Sequence, residues 1–233
     1  MKIQCFHSSS AGNLYAVSDG TTKIMIECGV DFREIQKCFN FGLSSLAGCL
    51  ISHGHGDHAK SWQKVSAYTP VYMLKDTAEA LGASGYNIKH YAPKTAFDVG
   101  TLKVLPFDTF HDVPSCGFYI TSRETKEAVL FAIDTAVLRY TFGNVHYAMI
   151  ECNYQREILN NAVDGGHLDS VGRNRIIRAH LGFDAMLEVI KGLNQNTLKE
   201  IHILHLSNRH ADAGYVKTAV EQATGKPVYI AKG

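Results

Sequence analysis

Apolar residues occur along this chain in short blocks, and the spacing within each block separates predicted strands from predicted helices. Short apolar or alternating blocks bounded by turn signals such as Ser18-Asp19-Gly20 predict strands. The predicted strands are Lys2–Phe6, Leu14–Val17, Lys23–Ile26, Gly48–Ser52, Val71–Met73, Thr101–Phe107, Gly117–Thr121, Ala128–Ile133, Tyr147–Glu151, Glu200–Leu204 and Pro227–Ala231.

Helical spacing of apolar residues predicts a smaller set of helices between these strands. They are Phe32–Phe39, Ala59–Tyr68, Asp76–Leu81, Gln155–Asn161, Val171–Leu193 and Tyr215–Ala223. The long helix Val171–Leu193 is expected to break near Gly182. Asp31 and Glu34 have the spacing of a capping box at the start of the first helix.

Strands dominate the first half of the chain, with helices interspersed, and this order favours two β-sheets with helices outside them over one purely parallel sheet. A length of 233 residues fits one large domain or two small ones. The expectation is a single α+β domain over residues 1–233.

Composition narrows the class of protein. Hydrophobic residues make up 45% of the chain, enough for a core. No run approaches the ~18 apolar residues of a membrane span, and the N-terminus has no apolar signal-peptide core. The six cysteines are scattered, which indicates thiols in a reducing cytoplasm. A net charge of +1 excludes nucleic-acid binding by bulk charge but permits a local basic patch.

The candidate chemistry begins directly after the apolar run Cys49-Leu50-Ile51. There the chain carries His53, His55, Asp57 and His58, four metal-ligand side chains within six residues. Packing alone requires no such cluster, and imidazole with carboxylate suits zinc, manganese or iron.

Three further candidates, His111, Asp134 and His205, each lie where a predicted strand gives way to a loop. Strand ends are rigid, and the loops beyond them leave room for substrate. Seven ligands can serve two metals: His53, His55 and His111 for one, Asp57, His58 and His205 for the other, and Asp134 as a bridge.

Together these motifs resemble the metallo-β-lactamase superfamily, over nearly the whole chain. A narrower resemblance is to its small YycJ/WalJ-like exonucleases, through Ser8-Ser9-Ser10-Ala11-Gly12-Asn13, Ala132-Ile133-Asp134-Thr135, Glu151-Cys152-Asn153, Gly166-His167-Leu168 and Leu204-His205-Leu206-Ser207. The resemblance implies a four-layer αββα sandwich of two mixed β-sheets with helices on the outer faces. Ser9 replaces a usual glycine. Glu27 stands where the superfamily usually has an aspartate that braces the ligand loop.

The resemblance implies a hydrolase with two divalent ions, Zn²⁺ or Mn²⁺, and a metal-bridging hydroxide as the nucleophile. Asp57 and Asp134 would orient that nucleophile, and His167 is the candidate general acid; a loop histidine bonded to backbone is its other interpretation. Ser170, Arg173 and Arg175 could hold phosphates of a nucleic-acid or nucleotide substrate. A solvated helix face is the other interpretation of the arginines.

A phosphodiester hydrolase, foremost an exonuclease-like nuclease, is the expected function. A phosphodiesterase acting on small or cyclic nucleotides is the nearest alternative. A thioester or lactam hydrolase would instead have a narrow, partly apolar pocket without a basic rim. A non-catalytic metal-binding module is disfavoured by the complete ligand set.

Overall fold

The computed structural model of the protein describes residues 1–232. The strands are β1 (Lys2–Ser9), β2 (Gly12–Ser18), β3 (Lys23–Ile26), β4 (Gly48–Leu50), β5 (Val71–Leu74), β6 (Ile88–Tyr91), β7 (Phe97–Val99), β8 (Leu102–Asp108), β9 (Cys116–Ser122), β10 (Ala128–Ala132), β11 (Tyr147–Glu151), β12 (Glu200–Leu204) and β13 (Val228–Ile230). The helices are α1 (Phe32–Cys38), α2 (Gly56–Ala59), α3 (Trp62–Val65), α4 (Lys75–Leu81), α5 (Arg156–Asp164), α6 (Ser170–Ala179), α7 (Phe183–Gly192) and α8 (Ala213–Thr224), with a 3₁₀ turn at Leu43–Ser45.

These strands form two mixed β-sheets. The first has the order β1-β2-β3-β4-β5-β6, and the second the order β13-β12-β11-β10-β9-β8-β7. Antiparallel pairing joins β1 to β2 and β2 to β3, whereas β3 to β6 pair in parallel. In the second sheet β7, β8 and β9 are antiparallel, and β10 to β13 are parallel. The predicted α+β class with two mixed sheets is confirmed.

The chain divides into two compact units. The first comprises residues 1–108, 113–128 and 232; the second comprises residues 109–112 and 129–231. Strand residues that alternate toward the interior form the core of the first unit, with Leu14, Met25 and Met73 fully buried. In the second unit β10 and β11 are buried along their whole length, which explains their uninterrupted apolar sequences.

Every predicted strand is present, whereas β6 and β7 were not predicted. The sequence Ile88-Lys89-His90-Tyr91 places two polar residues between its apolar ends, and Phe97–Val99 is only three residues long. The first segment lacks the alternation that predicts a strand, and the second is too short to show it reliably. Parallel pairing of β5 with β6, in register from Val71 opposite Ile88, creates the strand in its place.

The predicted helix Ala59–Tyr68 is wrong, because two short helices, α2 and α3, occupy this stretch. Between them the Ser61 amide donates to the Cys28 carbonyl at 3.0 Å, and the Ser61 hydroxyl donates to the Val30 carbonyl at 2.7 Å. These tertiary hydrogen bonds replace helical ones and interrupt the helix.

The predicted capping box at α1 is also wrong. The Asp31 backbone does begin the helix, and its carbonyl accepts from the Glu34 amide at 2.9 Å. The Asp31 carboxylate, however, pairs with Lys60 at 2.9 Å, and the Glu34 carboxylate pairs with Lys37 at 3.1 Å. Both side chains that a capping box would use therefore form salt bridges instead of capping the helix.

The predicted break near Gly182 is confirmed, because α6 ends at Ala179 and α7 begins at Phe183. A β-carbon on Gly182 would lie 2.7 Å from the Tyr154 ring, so only glycine fits against this ring. The break leaves His180 in extended backbone between two helices.

None of the helices within the described part of the chain combines the length and apolar character that crossing a membrane requires. The prediction of a single domain over residues 1–233 stays a prediction.

Candidate metal centre

The first group of candidate ligands follows β4 in the first unit. His53 lies in the loop, and Asp57 and His58 lie in α2, for which His55 is the residue before the first turn. The Nε2 atom of His53 is 3.1 Å from Nδ1 of His55, and the rings of His53 and His58 are 4.1 Å apart. Nε2 of His58 is 3.3 Å from Oδ2 of Asp57. The predicted cluster is therefore compact.

Asn13, the second residue of β2, braces this cluster. Its amide nitrogen lies 3.1 Å from Nε2 of His58 and donates to the Asp57 carbonyl at 3.1 Å. The Tyr15 hydroxyl donates to the Asn13 side-chain oxygen at 2.9 Å, which fixes the orientation of the amide. This contact gives a physical role to the Ser8–Asn13 turn.

Glu27 is fully buried directly after β3 and braces the same loop. Its carboxylate accepts from the Ser52 amide at 3.2 Å and faces Nδ1 of His58 at 3.6 Å. Burial raises the pKa of Glu27, although His58 and Ser52 act in the opposite direction. Glu27 reaches this position with a φ of 61°, in the left-handed region. The longer side chain thus performs the bracing expected of the usual aspartate.

Gly29 supports the loop by close backbone approach. A β-carbon there would lie 1.7 Å from the Asp57 carbonyl oxygen. The neighbouring Cys28 amide donates to the His58 carbonyl at 2.8 Å. The backbone after β3 therefore packs directly under the Asp57-His58 pair, and only glycine permits this contact.

The second group of candidate ligands belongs to the second unit. Nδ1 of His205, which follows β12, lies 2.9 Å from Oδ1 of Asp134, which follows β10. Nε2 of His111 lies 3.8 Å from Oδ2 of Asp134, and Nδ1 of His111 lies 3.0 Å from the Ala179 carbonyl. His205 and Asp134 are both buried, so the structure brings the three predicted ligands together in a shielded position.

Two residues that sequence analysis did not assign to the site join this group. Neither His180 nor Glu151 is among the predicted metal ligands or catalytic residues. In the structure, ligand atoms of Asp134, Glu151, His180 and His205 all lie within 4.8 Å of one another. Nδ1 of His180 is 2.6 Å from Oε1 of Glu151 and 3.5 Å from Oδ1 of Asp134. His180 and Glu151 therefore belong to this cluster of possible ligands.

Glu151 is fully buried at the end of β11 and organises the group. Its Oε2 atom accepts from the amides of Thr135 and Leu181 at 3.1 and 3.2 Å. Its Oε1 atom faces Nδ1 of His205 at 3.2 Å as well as His180. One carboxylate therefore positions the chain segments that carry Asp134, His180 and His205.

The buried carboxylates determine the charge states of this group. Burial disfavours the charged form of His180, but Glu151 and Asp134 outweigh it and raise the His180 pKa to about 10. Burial likewise disfavours charged His205, and Asp134 and Glu151 raise its pKa to about 9. Burial lowers the pKa of His111. Burial would raise the pKa of Glu151, but His180 and His205 lower it.

The remaining predicted residues lie on or near α6. His167 is exposed in the loop after α5, and its amide donates to the Ala162 carbonyl at 2.9 Å. Ser170 is exposed at the first position of α6. The Arg173 guanidinium donates to the Asn160 side-chain oxygen at 2.8 Å. Arg173 is therefore held against α5.

Arg175 and Arg178 have a different environment. They line a cavity of about 500 Å³ in the second unit, together with His111 and the Val171 side chain. The two arginines are three residues apart and share one face of α6. Both are exposed, and Val171 is 75% exposed. A predicted metal ligand and two guanidinium groups thus border one pocket. Arg178 is not among the predicted substrate-binding residues.

The donor sets fit divalent metal ions. Each unit contributes imidazole nitrogens and carboxylate oxygens, the donors that zinc and manganese accept. Two mixed sheets, helices and these clusters define the class: a metal-dependent hydrolase with the metallo-β-lactamase fold. A family model described as "Beta-lactamase superfamily domain" matches residues 22–203. The chain belongs to this superfamily.

Several solved structures share the fold at low sequence identity. The metallo-β-lactamase-fold protein YhfI from Bacillus subtilis is 16% identical, with a TM-score of 0.76 over 99% of this chain and 95% of YhfI. Yeast PDE1 is 10% identical, with a TM-score of 0.68 over 99% of this chain and 96% of PDE1. The short form of human tRNase Z is 13% identical, with a TM-score of 0.63 over 100% and 96% of the two chains. No curated protein sequence matches the chain at a significant level.

Proposed function

We propose that this hydrolase cleaves phosphodiester bonds, with a nucleic acid or a nucleotide as its substrate. The observation that carries the proposal is the cavity in the second unit. Arg175 and Arg178 border this cavity beside His111, a predicted metal ligand. Guanidinium groups bind phosphate through paired charge-assisted hydrogen bonds. A thioester or lactam needs no such basic rim.

The size and lining of the cavity support a nucleotide-sized occupant. A volume of about 500 Å³ falls within the range of small-molecule sites. The exposed Val171 side chain offers an apolar surface on which a base can rest, while the arginines contact phosphate. Arg175 keeps its predicted role as a substrate-binding residue, and Arg178 is added to it. Arg173 bonds Asn160 and is better explained as a structural residue.

The metals of the proposed enzyme are two divalent ions, Zn²⁺ or Mn²⁺. The proposed ligands are His53, His55 and His111 for one ion, Asp57, His58 and His205 for the other, and Asp134 for both. When bound, such ions activate a water molecule and offset the negative charge that develops on phosphate oxygens. Asn13 and Glu27 hold one part of the ligand set, and Glu151 holds the other.

His180 is the proposed general acid. Glu151 engages its Nδ1 atom at 2.6 Å, which leaves Nε2 as the ring nitrogen that can deliver a proton to the departing oxygen. A histidine oriented by a buried carboxylate keeps one tautomer and one ring orientation. His167, which was predicted for this role, is exposed in the loop after α5 and stays as the alternative.

The test is a substrate panel for the metal-loaded protein: labelled single-stranded DNA, RNA, bis-p-nitrophenyl phosphate, a cyclic nucleotide and a thioester. We expect cleavage of phosphodiesters, with Asp57→Ala abolishing it. Asp76→Ala, which changes an exposed residue of α4, is the matched control and should retain full activity. Cleavage of the thioester alone would overturn the proposal. Bound metals without any cleavage would instead favour a metal-binding module.

The same panel separates the two forms of the proposal. Stepwise shortening of an end-labelled strand would identify an exonuclease. Cleavage limited to the cyclic nucleotide would identify a phosphodiesterase acting on small nucleotides. The names of two structural neighbours, tRNase Z and PDE1, correspond to these alternatives, but at their low sequence identity these neighbours support the fold alone.

A further inference from the structure

A third cluster of metal-ligand side chains lies in the first unit, on elements that carry none of the predicted ligands. It contains His7 of β1 and Glu34 and Cys38 of α1. One ligand atom from each residue lies within 4.8 Å of the others. Nε2 of His7 is 3.9 Å from Oε1 of Glu34. The cluster combines an imidazole, a carboxylate and a thiol.

Local structure explains why these three side chains meet. Glu34 and Cys38 are four residues apart on α1, so they share one face of the helix. The pairing of β1 with β2 is irregular between Cys5 and His7, and such bulges redirect side chains. The rings of Phe6 and Phe39 lie 5.2 Å apart and pack the strand against the end of the helix.

The orientation of Glu34 is the second observation. The sequence predicted that this side chain would turn back to cap α1. It lies toward His7 instead, and its two oxygens have separate neighbours: Oε2 pairs with Lys37 at 3.1 Å, and Oε1 faces His7. Lys37 therefore holds the carboxylate by the oxygen that does not face His7, and ligating carboxylates are commonly held by such outer partners.

We propose that His7, Glu34 and Cys38 bind a zinc ion that ties β1 to α1. Zinc accepts nitrogen, oxygen and thiolate donors together, whereas calcium and magnesium require oxygen donors. Three protein ligands leave one position for water. The side chains of His7 and Glu34 are 31% and 40% exposed, so the ion can enter from solvent. Binding replaces the Cys38 thiol proton with the metal, and the proton passes to solvent.

The proposed ion would stabilise the turn that braces the catalytic ligands. β1 leads directly into this turn, and Asn13, at the start of β2 just after it, contacts the Asp57-His58 pair. The other end of the cross-link, α1, follows the Cys28-Gly29 backbone that packs under the same pair. The ion thus connects two segments that hold one ligand loop. The proposal does not depend on the substrate of the enzyme.

Cobalt(II) provides the test, because a thiolate ligand gives Co²⁺ a charge-transfer band in the near ultraviolet that histidine and carboxylate ligands do not give. None of the ligands predicted for the catalytic metals is a cysteine. Titration of the full-length, metal-free protein with Co²⁺ should produce this band. Cys38→Ser and His7→Ala should remove it. Cys5 is also partly buried but lies on β1 outside the proposed ligand set, so Cys5→Ser should keep the band.

Thermal unfolding provides an independent measurement. Zn²⁺ should raise the melting temperature of the wild type and of Cys5→Ser by more than that of Cys38→Ser, because a ligand that binds only the folded state stabilises it. Absence of the band from the wild type, or its persistence in Cys38→Ser, would overturn the proposal. If Cys38→Ser does not fold, Glu34→Gln replaces it, and an unchanged band and zinc shift would then count against the site.

Discussion

Nδ1 of His180 lies 2.6 Å from Oε1 of Glu151, the carboxylate that also faces His205 and accepts from the amides of Thr135 and Leu181. This contact connects the break between α6 and α7 to the end of β11. It fixes one ring nitrogen of His180, and with it the orientation of the other nitrogen.

The first prediction concerns His180 as a proton donor. His180→Ala should reduce kcat by about 10²–10⁴-fold on a nucleic-acid phosphodiester, whose departing oxygen needs a proton. The loss should be much smaller on bis-p-nitrophenyl phosphate, because p-nitrophenolate departs without one. Steady-state kinetics on both substrates provide the measurement. Equal losses on the two substrates would contradict the assignment.

His167→Ala is the control for that experiment. His167 is exposed in the loop after α5, and its replacement should leave both rates near those of the wild type. If His167→Ala lowered kcat only on the nucleic-acid substrate, which has the poorer leaving group, and His180→Ala lowered it on neither substrate, His167 would be the general acid.

The second prediction contrasts three arginines of α6. Arg175→Ala and Arg178→Ala should each raise the KM for a phosphodiester by about tenfold, because each removes a charged hydrogen bond to phosphate. Arg173→Ala should leave KM unchanged, since its guanidinium bonds Asn160. Arg178→Lys should recover only part of the affinity, because an ammonium group lacks the planar fork. An effect of Arg173→Ala equal to the others would refute the contrast.

Much of this arrangement could be predicted from the sequence, and the reason is local. His53, His55, Asp57 and His58 lie within six residues, so their proximity needs no knowledge of the fold. His111, Asp134 and His205 were found because each follows a predicted strand. Glu151 obeys the same rule at the end of β11 and could have been found by it.

His180 could not be found in that way. It follows a helix rather than a strand. Tertiary contacts, among them the packing of Gly182 against Tyr154 and the hydrogen bond from the Leu181 amide to Glu151, bring its backbone beside Glu151. The different environments of Arg173 and Arg175 could not be predicted from the sequence either. They are two residues apart in sequence, and only the helix geometry directs one toward α5 and the other toward the cavity.

The third prediction concerns Gly29. Gly29→Ala would place a β-carbon 1.7 Å from the Asp57 carbonyl oxygen, a backbone atom that cannot rotate away. We expect a loss of about 3 kcal/mol or more in the free energy of unfolding. Gly56→Ala adds the same methyl group to the ligand loop in open space and should change stability little. Urea unfolding of both variants compares them, and equal midpoints would contradict the predicted clash.

The fourth prediction concerns pH and Asp19. Burial alone would raise the Asp19 pKa, but hydrogen bonds from Thr101, Thr22, Ser122 and Thr21 lower it to about 2. Because the folded pKa lies below the unfolded value of about 3.9, the contribution of Asp19 to stability is complete above that value. It disappears as the pH falls toward about 2.

Asp19→Asn should therefore be less stable than the wild type near neutral pH. The difference in unfolding midpoint should shrink steadily as the pH is lowered from about 5 to about 3. Asp76→Asn, on exposed α4, supplies the baseline for a surface aspartate. A constant difference across this pH range would show that ionisation of Asp19 is not the cause.

Glu27, Asp134 and His205 share a backbone property: each follows a strand and has a positive φ, of 61°, 47° and 50° respectively. For residues with a β-carbon this conformation costs about 1–2 kcal/mol. The rest of the fold must supply that energy whether or not substrate is present. The protein therefore gives up part of its thermal stability to hold these three residues in place before substrate binds.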